Sequence, residues 1–275
     1  MNKSYVAWTI LGAFSLIIMY IGKELGGRQG LLAAFILAIV SNSLVYFYGD
    51  IRLKNLFHSK PIQGQDPYSL ESLVTDLANR LHMPAPEIFI CDLNTPTAFS
   101  TSKSGRAASI LVSRPLLEKL ERDELESVLA FEMLKIKNHY TFTATLCSAI
   151  VAGTLKPAEA IDYLISFGKP FKEELGPVTG LVAPVSAWLV RRMQSKSAIF
   201  QLDQLTSDLT TKPKALAKSL WKLESLVATN PQLVPKDTAH IFFMNPLPKY
   251  GWSGMFQSQP TAKERIEKLI GQYPI

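Results

Sequence analysis

Two long stretches without a charged residue dominate the start of the chain, Ser4 to Gly22 and Gln29 to Gly49. Each approaches the roughly 20 apolar residues that a helix needs to cross the hydrocarbon core of a bilayer. Lys23 and Arg28 lie between them, and the pattern predicts a transmembrane helical hairpin over residues 1–50. A signal peptide is the competing reading of the first stretch. The lone Lys3 ahead of it, the lack of a small-residue cleavage site and the second apolar stretch directly behind it count against cleavage. Two shorter uncharged runs follow His139: Tyr140 to Leu155, 16 residues, and Gly176 to Val190, 15 residues. They read either as further spans lengthened by their flanks or as a buried helical pair. Arg52, Lys54 and Lys60 after the hairpin, with Arg191, Arg192 and Lys196 after the last run, put both returns on the cytoplasmic side.

Between and after these runs the apolar spacing becomes helical. Ser69 to His82 carries Leu70, Leu73, Leu77 and Leu81 on one stripe, and Pro84 and Pro86 end it. Arg122 to His139 opens with Asp123, Glu124 and Glu126, which suit a helix N-terminus, and continues through Leu125, Val128, Leu129, Met133 and Ile136. Lys212 to Thr229 carries Leu216, Leu220, Leu223 and Leu226, with Trp221 beside them. Thr261 and Glu264 have the spacing of a capping box that opens the last helix. Glu87–Cys91, Ala98–Thr101 and Ala107–Ser113 read as short strands, Ser59–Pro67 as a linker and Lys156–Glu174 as a charged loop.

Composition agrees with a membrane protein, at 47% hydrophobic residues and a mean hydropathy of +0.12. The net charge of +6 comes from basic residues scattered beside apolar runs, which excludes a nucleic-acid partner. Cys91 and Cys147 have no CxxC spacing and read as reduced, buried thiols. His58, His82 and His240 read as surface or capping residues.

The candidate chemistry sits on the Arg122–His139 helix, where Phe131, Glu132, Lys135 and His139 share one face. That is the register of a zinc-protease helix, in which HExxH supplies two metal ligands one turn apart and a Glu that activates the bound water. Here the pentapeptide reads Phe131-Glu132-Met133-Leu134-Lys135: the Glu is kept and both His are replaced.

The chain resembles the HtpX-type membrane zinc metalloproteases, relatives of the CAAX prenyl proteases, through residues 22–50, 96–132, 136–140 and 244–269. The resemblance implies a zincin-like protease fold with a sheet beside the HExxH-type helix. It makes Glu132 the general base, and places metal ligands at the positions of Phe131, Lys135 and Ile199. The family's third ligand is a Glu four residues before an Asp, and here Ile199 stands four residues before Asp203. Asp203 takes the place of the acid that supports the ligands. Thr97-Ala98-Phe99 stands where the family has an Asn-Ala-Phe edge strand that pairs with extended substrate, and Gln259-Pro260 where it has His-Pro. A substituted site from Glu132, His139 and Asp203 is excluded by reach: two helical turns span roughly 10 Å, and zinc bonds are near about 2 Å.

These residues predict an α+β fold: a mainly helical integral membrane protein with a small sheet. Its parts are the hairpin (1–50), a cytoplasmic part with sheet and degenerate helix (51–139), two apolar helices (140–190) and a C-terminal helical part (191–275). The expected role is that of a pseudopeptidase in a bacterial cytoplasmic membrane, with Glu132 a vestigial base and no cofactor. Its partners would be the lipid bilayer and a membrane protein or protease complex, in protein quality control. The alternatives are an active zinc-dependent endopeptidase and a structural subunit of a membrane assembly. Phe131 and Ile199 are expected to fill the former metal cavity together; Lys135 either pairs with Glu132 or Asp203, or points into water and leaves both acids solvated.

Overall fold

The computed structural model describes residues 4–62, 66–102, 108–168, 176–229, 234–247, 251–271 and 273. The two N-terminal apolar runs form one helical stretch, α1 (Ser4–Leu56), interrupted at Gly26 (φ −138°, ψ 17°) and Gly27 (φ 55°, ψ −133°). Only glycine adopts the Gly27 conformation without strain, and the break lets the second arm fold back on the first. The arms touch at Gly22 and Gly30, where a Cβ on Gly30 would lie 2.0 Å from the Gly22 carbonyl oxygen. Asn42 Nδ2 donates to Ser15 Oγ across them at 2.9 Å. By length and composition Leu11–Leu44 is apolar enough to cross a membrane, but it contains the Gly26–Gly27 break and so supplies the two arms of a hairpin, mostly exposed, in place of one straight helix. Leu16, Ile17, Tyr20, Leu32, Ile36 and Val40 all point outward.

The sheet has the order β1-β2-β4-β3, from β1 (Lys60–Pro61), β2 (Glu87–Cys91), β3 (Ala98–Ser102) and β4 (Ala108–Ser113). β2 runs parallel to β4, while β1 and β3 run antiparallel to their neighbours. One expectation changes here. The stretch 59–67 is not linker throughout, because Lys60–Pro61 pairs with Phe89–Ile90; residues 63–65 of it, and Ala107 of the third expected strand, lie outside the described residues. β3 takes the edge position that the resemblance implies, with every residue buried.

The remaining helices are α2 (Leu70–Leu81), α3 (Arg114–Lys119), α4 (Arg122–Lys137), α5 (Tyr140–Ile165), α6 (Pro177–Met193), α7 (Lys196–Thr210), α8 (Pro213–Thr229) and α9 (Ala262–Ile270). α4 is buried without a break from Glu124 to Ile136, between the sheet on one side and α2, α7 and α8 on the others. Its N-terminus is closed by a capping box between Glu121 and Glu124. Its acids near the N-terminus are matched from outside: Lys212 reaches the exposed Asp123 (2.8 Å) and the buried Glu126 (2.9 Å), and Lys222 reaches the buried Glu124 (2.8 Å). The helix stops at Lys137, short of the expected end. His139 adopts a left-handed conformation (φ 59°) that turns the chain into α5, as His58 and His82 do at the ends of α1 and α2.

α5 also departs from expectation, because it runs on through Pro157 to Ile165 where a charged loop is predicted; residues 169–174 of that loop lie outside the described residues. It packs against α1, α6 and β3 with a heavily buried face, while α6 leaves Leu181, Val185 and Trp188 exposed. The buried stripes of α2 and α8 and the capping box Thr261–Glu264 of α9 follow the sequence pattern, except that Leu226 is only half-buried. Cys91 and Cys147 are free and buried, and burial pushes the Cys91 thiol up to about 12.

The hairpin contact gives a prediction. A Ser15→Cys/Asn42→Cys variant should form a disulfide between the arms in native membranes, and adding Gly30→Leu should reduce its yield severalfold by forcing the arms apart. Gel mobility under non-reducing conditions reads this, and an unchanged yield would refute the close approach.

Candidate functional site

Glu132 lies at the centre of α4 with no solvent exposure, so its carboxylate needs partners from the protein. Lys135, one turn along the same face, supplies the charge: its Nζ donates to Glu132 Oε2 at 2.8 Å and Oε1 at 3.1 Å. Ser100 of β3 donates its hydroxyl to Glu132 Oε2 at 2.7 Å and is hydrogen-bonded to Thr141 in turn. Lys135 Nζ makes a third bond, to the carbonyl oxygen of Ile241 at 2.8 Å. Burial raises the Glu132 pKa above its ordinary value, against the opposing pull of Lys135 and Ser100.

Asp203 on α7 has a different cation. Arg265 of α9, 1% exposed, forks onto it through Nε (2.9 Å) and Nη2 (2.6 Å). Its Nη1 donates to the Phe243 carbonyl oxygen at 3.0 Å. The guanidinium also lies over the rings of Phe131 (4.9 Å) and Phe243 (4.8 Å), which meet edge to face. Lys135 therefore pairs with Glu132 and leaves Asp203 to Arg265, a residue the sequence reading passed over. Its signal was faint: a single Arg on the apolar side of the α9 pattern, next to Ile266.

Phe131, Lys135 and Ile199 do come together, around one cavity of about 30 Å³ that His240 and Gln259 also line. The two apolar residues fill the space only in part, since a cavity of that size holds about one water. His139 is exposed and takes no part. His240, expected at the surface, is buried: its Nε2 lies 3.0 Å from the Ala144 carbonyl oxygen, and its Nδ1 has no partner among the described residues. Facing a carbonyl, Nε2 must be the donor, and burial holds the ring neutral with a pKa lowered to about 4. Gln259 donates from Nε2 to the carbonyl oxygens of Phe242 (2.7 Å) and His240 (3.3 Å).

Thr97, Ala98 and Phe99 lie beside this cluster at the start of β3. Thr97 is bonded to Ser113 through its backbone N–H (2.9 Å) and carbonyl (3.0 Å). On the outer edge, Phe243 donates its N–H to the Ala98 carbonyl oxygen at 2.8 Å, and Phe242 forms an antiparallel bridge with Phe99. The rings of Phe57, Phe99 and Phe242 stack edge to face at 4.8–5.5 Å.

His240 sets an acid limit. Its folded pKa is depressed, so its contribution to stability is complete above the ordinary value of 6.5 and is lost as pH falls from 6.5 toward 4. Stability should fall across that window by up to about 1.4 kcal/mol per pH unit, and His240→Gln should flatten the slope. Thermal unfolding at several pH values checks this.

A family model described as Peptidase family M48 matches residues 65–272. The chain is 30% identical to a protein named Protease HtpX from Legionella pneumophila, over 99% of this chain and 100% of that one. It is also 30% identical to a Protease HtpX homolog from Aquifex aeolicus, over 94% and 89%. The crystal structure of S. mikatae Ste24p shares the fold at a TM-score of 0.55 and 18% identity, covering 98% of this chain, which spans 65% of that protein. These matches correct the expectation of a protein without a cofactor, because M48 is a zinc metalloprotease family. The donor set at the cavity does not fit that metal. Phe131 and Ile199 have no lone pair to give, the Lys135 ammonium is itself a cation, and no group of three or more His, Cys, Asp or Glu among the described residues could hold an ion. With its family model matched from residue 65 to 272 and relatives at 30% identity over nearly its whole length, the chain belongs to Peptidase family M48.

Proposed function

We propose that this member of family M48 acts by binding a membrane protein or a protease complex, and does not hydrolyse peptides through Glu132. The observation that carries the reading is the Lys135 ammonium, which bonds both carboxylate oxygens of Glu132 and the Ile241 carbonyl. A general base needs a free lone pair aimed at the water it activates. Both Glu132 oxygens are held, Oε1 by Lys135 and Oε2 by Lys135 and Ser100, with the ammonium lying across the carboxylate.

In this reading α1 anchors the protein in a bilayer as a hairpin. The exposed Leu181, Val185 and Trp188 of α6 support a further apolar pair, α5 and α6, beside it. The basic residues Arg52, Lys54, Arg191 and Arg192 favour a cytoplasmic site, in the bacterial inner membrane. A second reading, a zinc-dependent membrane endopeptidase, is favoured by the family and by relatives named Protease HtpX, together with the retention of Glu132 at the centre of α4.

Casein digestion by the detergent-purified full chain, with zinc added, separates the two. The binding reading predicts no cleavage by the wild type. It predicts zinc retention, by elemental analysis, together with chelator-sensitive cleavage in a variant carrying Phe131→His, Lys135→His and Ile199→Glu. Wild-type cleavage that both a chelator and Glu132→Gln abolish would establish the endopeptidase.

The buried pair has its own test. Lys135→Met leaves Glu132 buried without its cation and should cost about 3–5 kcal/mol of stability, whereas Glu132→Leu combined with Lys135→Met should recover most of it. Denaturant unfolding measures both, and an unchanged midpoint in Lys135→Met would mean the pair is not formed.

A further inference from the structure

Helix α6 is held at three points along its length, which fixes its rotation about its own axis. At its start Asp162 of α5 accepts from the backbone N–H groups of Val178 (2.9 Å) and Thr179 (2.8 Å), and a Cβ on Gly176 would stand only 2.2 Å from the Asp162 carboxylate. Midway, the hydroxyls of Ser186 and of Thr154 on α5 share a hydrogen bond at 3.1 Å. At its end Arg191 Nη2 donates to the Met255 carbonyl oxygen at 2.8 Å. Ala183, Ala187 and Val190 are thereby turned into the interior, and Leu181, Val185, Trp188 and Arg192 outward. At about 100° per residue those four form one narrow stripe, roughly 16 Å from end to end.

The stripe changes chemistry along its length. Leu181 and Val185 are hydrocarbon, and Trp188, 60% exposed, combines an apolar ring system with an N–H donor. Arg192, one turn further on, is exposed and has no ion pair among the described residues. No acidic residue occurs from Gly176 to Leu202, a stretch that holds Arg191, Arg192 and Lys196. Lys196 has an exposed partner in Glu264 at 3.2 Å, which leaves the two arginines as surplus positive charge. Tryptophan settles where hydrocarbon meets headgroups, and a guanidinium fork matches phosphate oxygens. Bases gathered at that depth favour a lipid with a net negative charge over a zwitterionic one, whose own cation competes for the phosphate.

We propose that this face of α6 seats one anionic phospholipid, with its phosphate at Arg192, its glycerol region beside the Trp188 indole and an acyl chain along Val185 and Leu181. The proposal rests on the reading of α5 and α6 as a bilayer-embedded pair. Arg191, committed to the Met255 carbonyl, positions the end of the helix and adds to the local positive charge.

The probe is phospholipid brominated on its acyl chains, which quenches indole fluorescence on contact. The full chain with Trp8, Trp221 and Trp252 replaced by Phe keeps Trp188 as its sole indole and is reconstituted into vesicles. Quenching should give brominated phosphatidylglycerol a binding constant about fivefold above that of brominated phosphatidylcholine, the advantage of one base at a lipid phosphate. Arg192→Gln should bring that ratio to about one, whereas Lys218→Gln, which removes an exposed base of α8, should leave it unchanged. Equal binding of the two lipids, an unchanged ratio in Arg192→Gln, or the same loss in Lys218→Gln would overturn the seat while leaving α6 in the bilayer. Quenching by neither lipid would take Trp188 out of the bilayer and sink the embedded-pair reading along with the seat, so the two failures are distinguishable. If the chain with a single indole fails to fold, native mass spectrometry of the wild type decides. It should keep phosphatidylglycerol at collision energies that strip phosphatidylcholine, and release of both together would overturn the proposal.

Discussion

A carboxylate enclosed in protein must find a cation or give up its charge, and the interior of this fold is arranged around two such carboxylates. Glu132 is answered from its own helix by Lys135, and Asp203 on α7 is answered by Arg265 on α9. The two cations do more than neutralise. Their remaining donors reach the carbonyl oxygens of Ile241 and Phe243, so the electrostatic requirement of α4 and α7 also fixes the path of the segment between α8 and α9. Phe131 lies between the two systems, under the guanidinium and beside Lys135 at the cavity. Removing either cation would leave a buried acid and a loose backbone at once.

Much of the scaffold was legible because it depends on patterns that are local in the chain. The stripe Leu70, Leu73, Leu77, Leu81 declares its buried face by spacing alone, and Thr261 with Glu264 declares a helix start. The cluster Phe131, Lys135 and Ile199 was legible through family resemblance, and the geometry brings the three together around one cavity. What stayed hidden was long-range choice. Lys135 had two acids within its expected reach, and the chain offers no local sign that Asp203 belongs to Arg265, 62 residues away. His240 shows the same limit: flanking prolines suggest a surface loop, and only the docking of α5 against it buries the ring. The end of α4 was misplaced by two residues because His139 turns through a left-handed conformation that imidazole tolerates and periodicity cannot announce.

Family membership and the donor set pull in different directions. The match from residue 65 to 272 brings zinc as the family's metal, while the side chains around the cavity are two hydrocarbons and an ammonium ion. Both statements hold because a fold is kept by its cores and caps, whereas a metal centre is kept by a handful of lone pairs. Nothing in the packing of α2, α4 and α8 depends on imidazole. Phe131 and Lys135 on α4 and Ile199 on α7 stand around the cavity without disturbing the helices that carry them.

The pairing of Asp203 with Arg265 also has a bearing on how the protein is made. Arg265 lies in the last helix, so during translation Asp203 leaves the ribosome 62 residues before its partner, and Lys135 precedes the Ile241 carbonyl by 106. Before α9 emerges, packing α7 against α4 would enclose Asp203 without its counter-ion, which is energetically costly. Order of synthesis and order of charge pairing therefore run in the same direction, and removal of α9 would leave Asp203 enclosed without its cation.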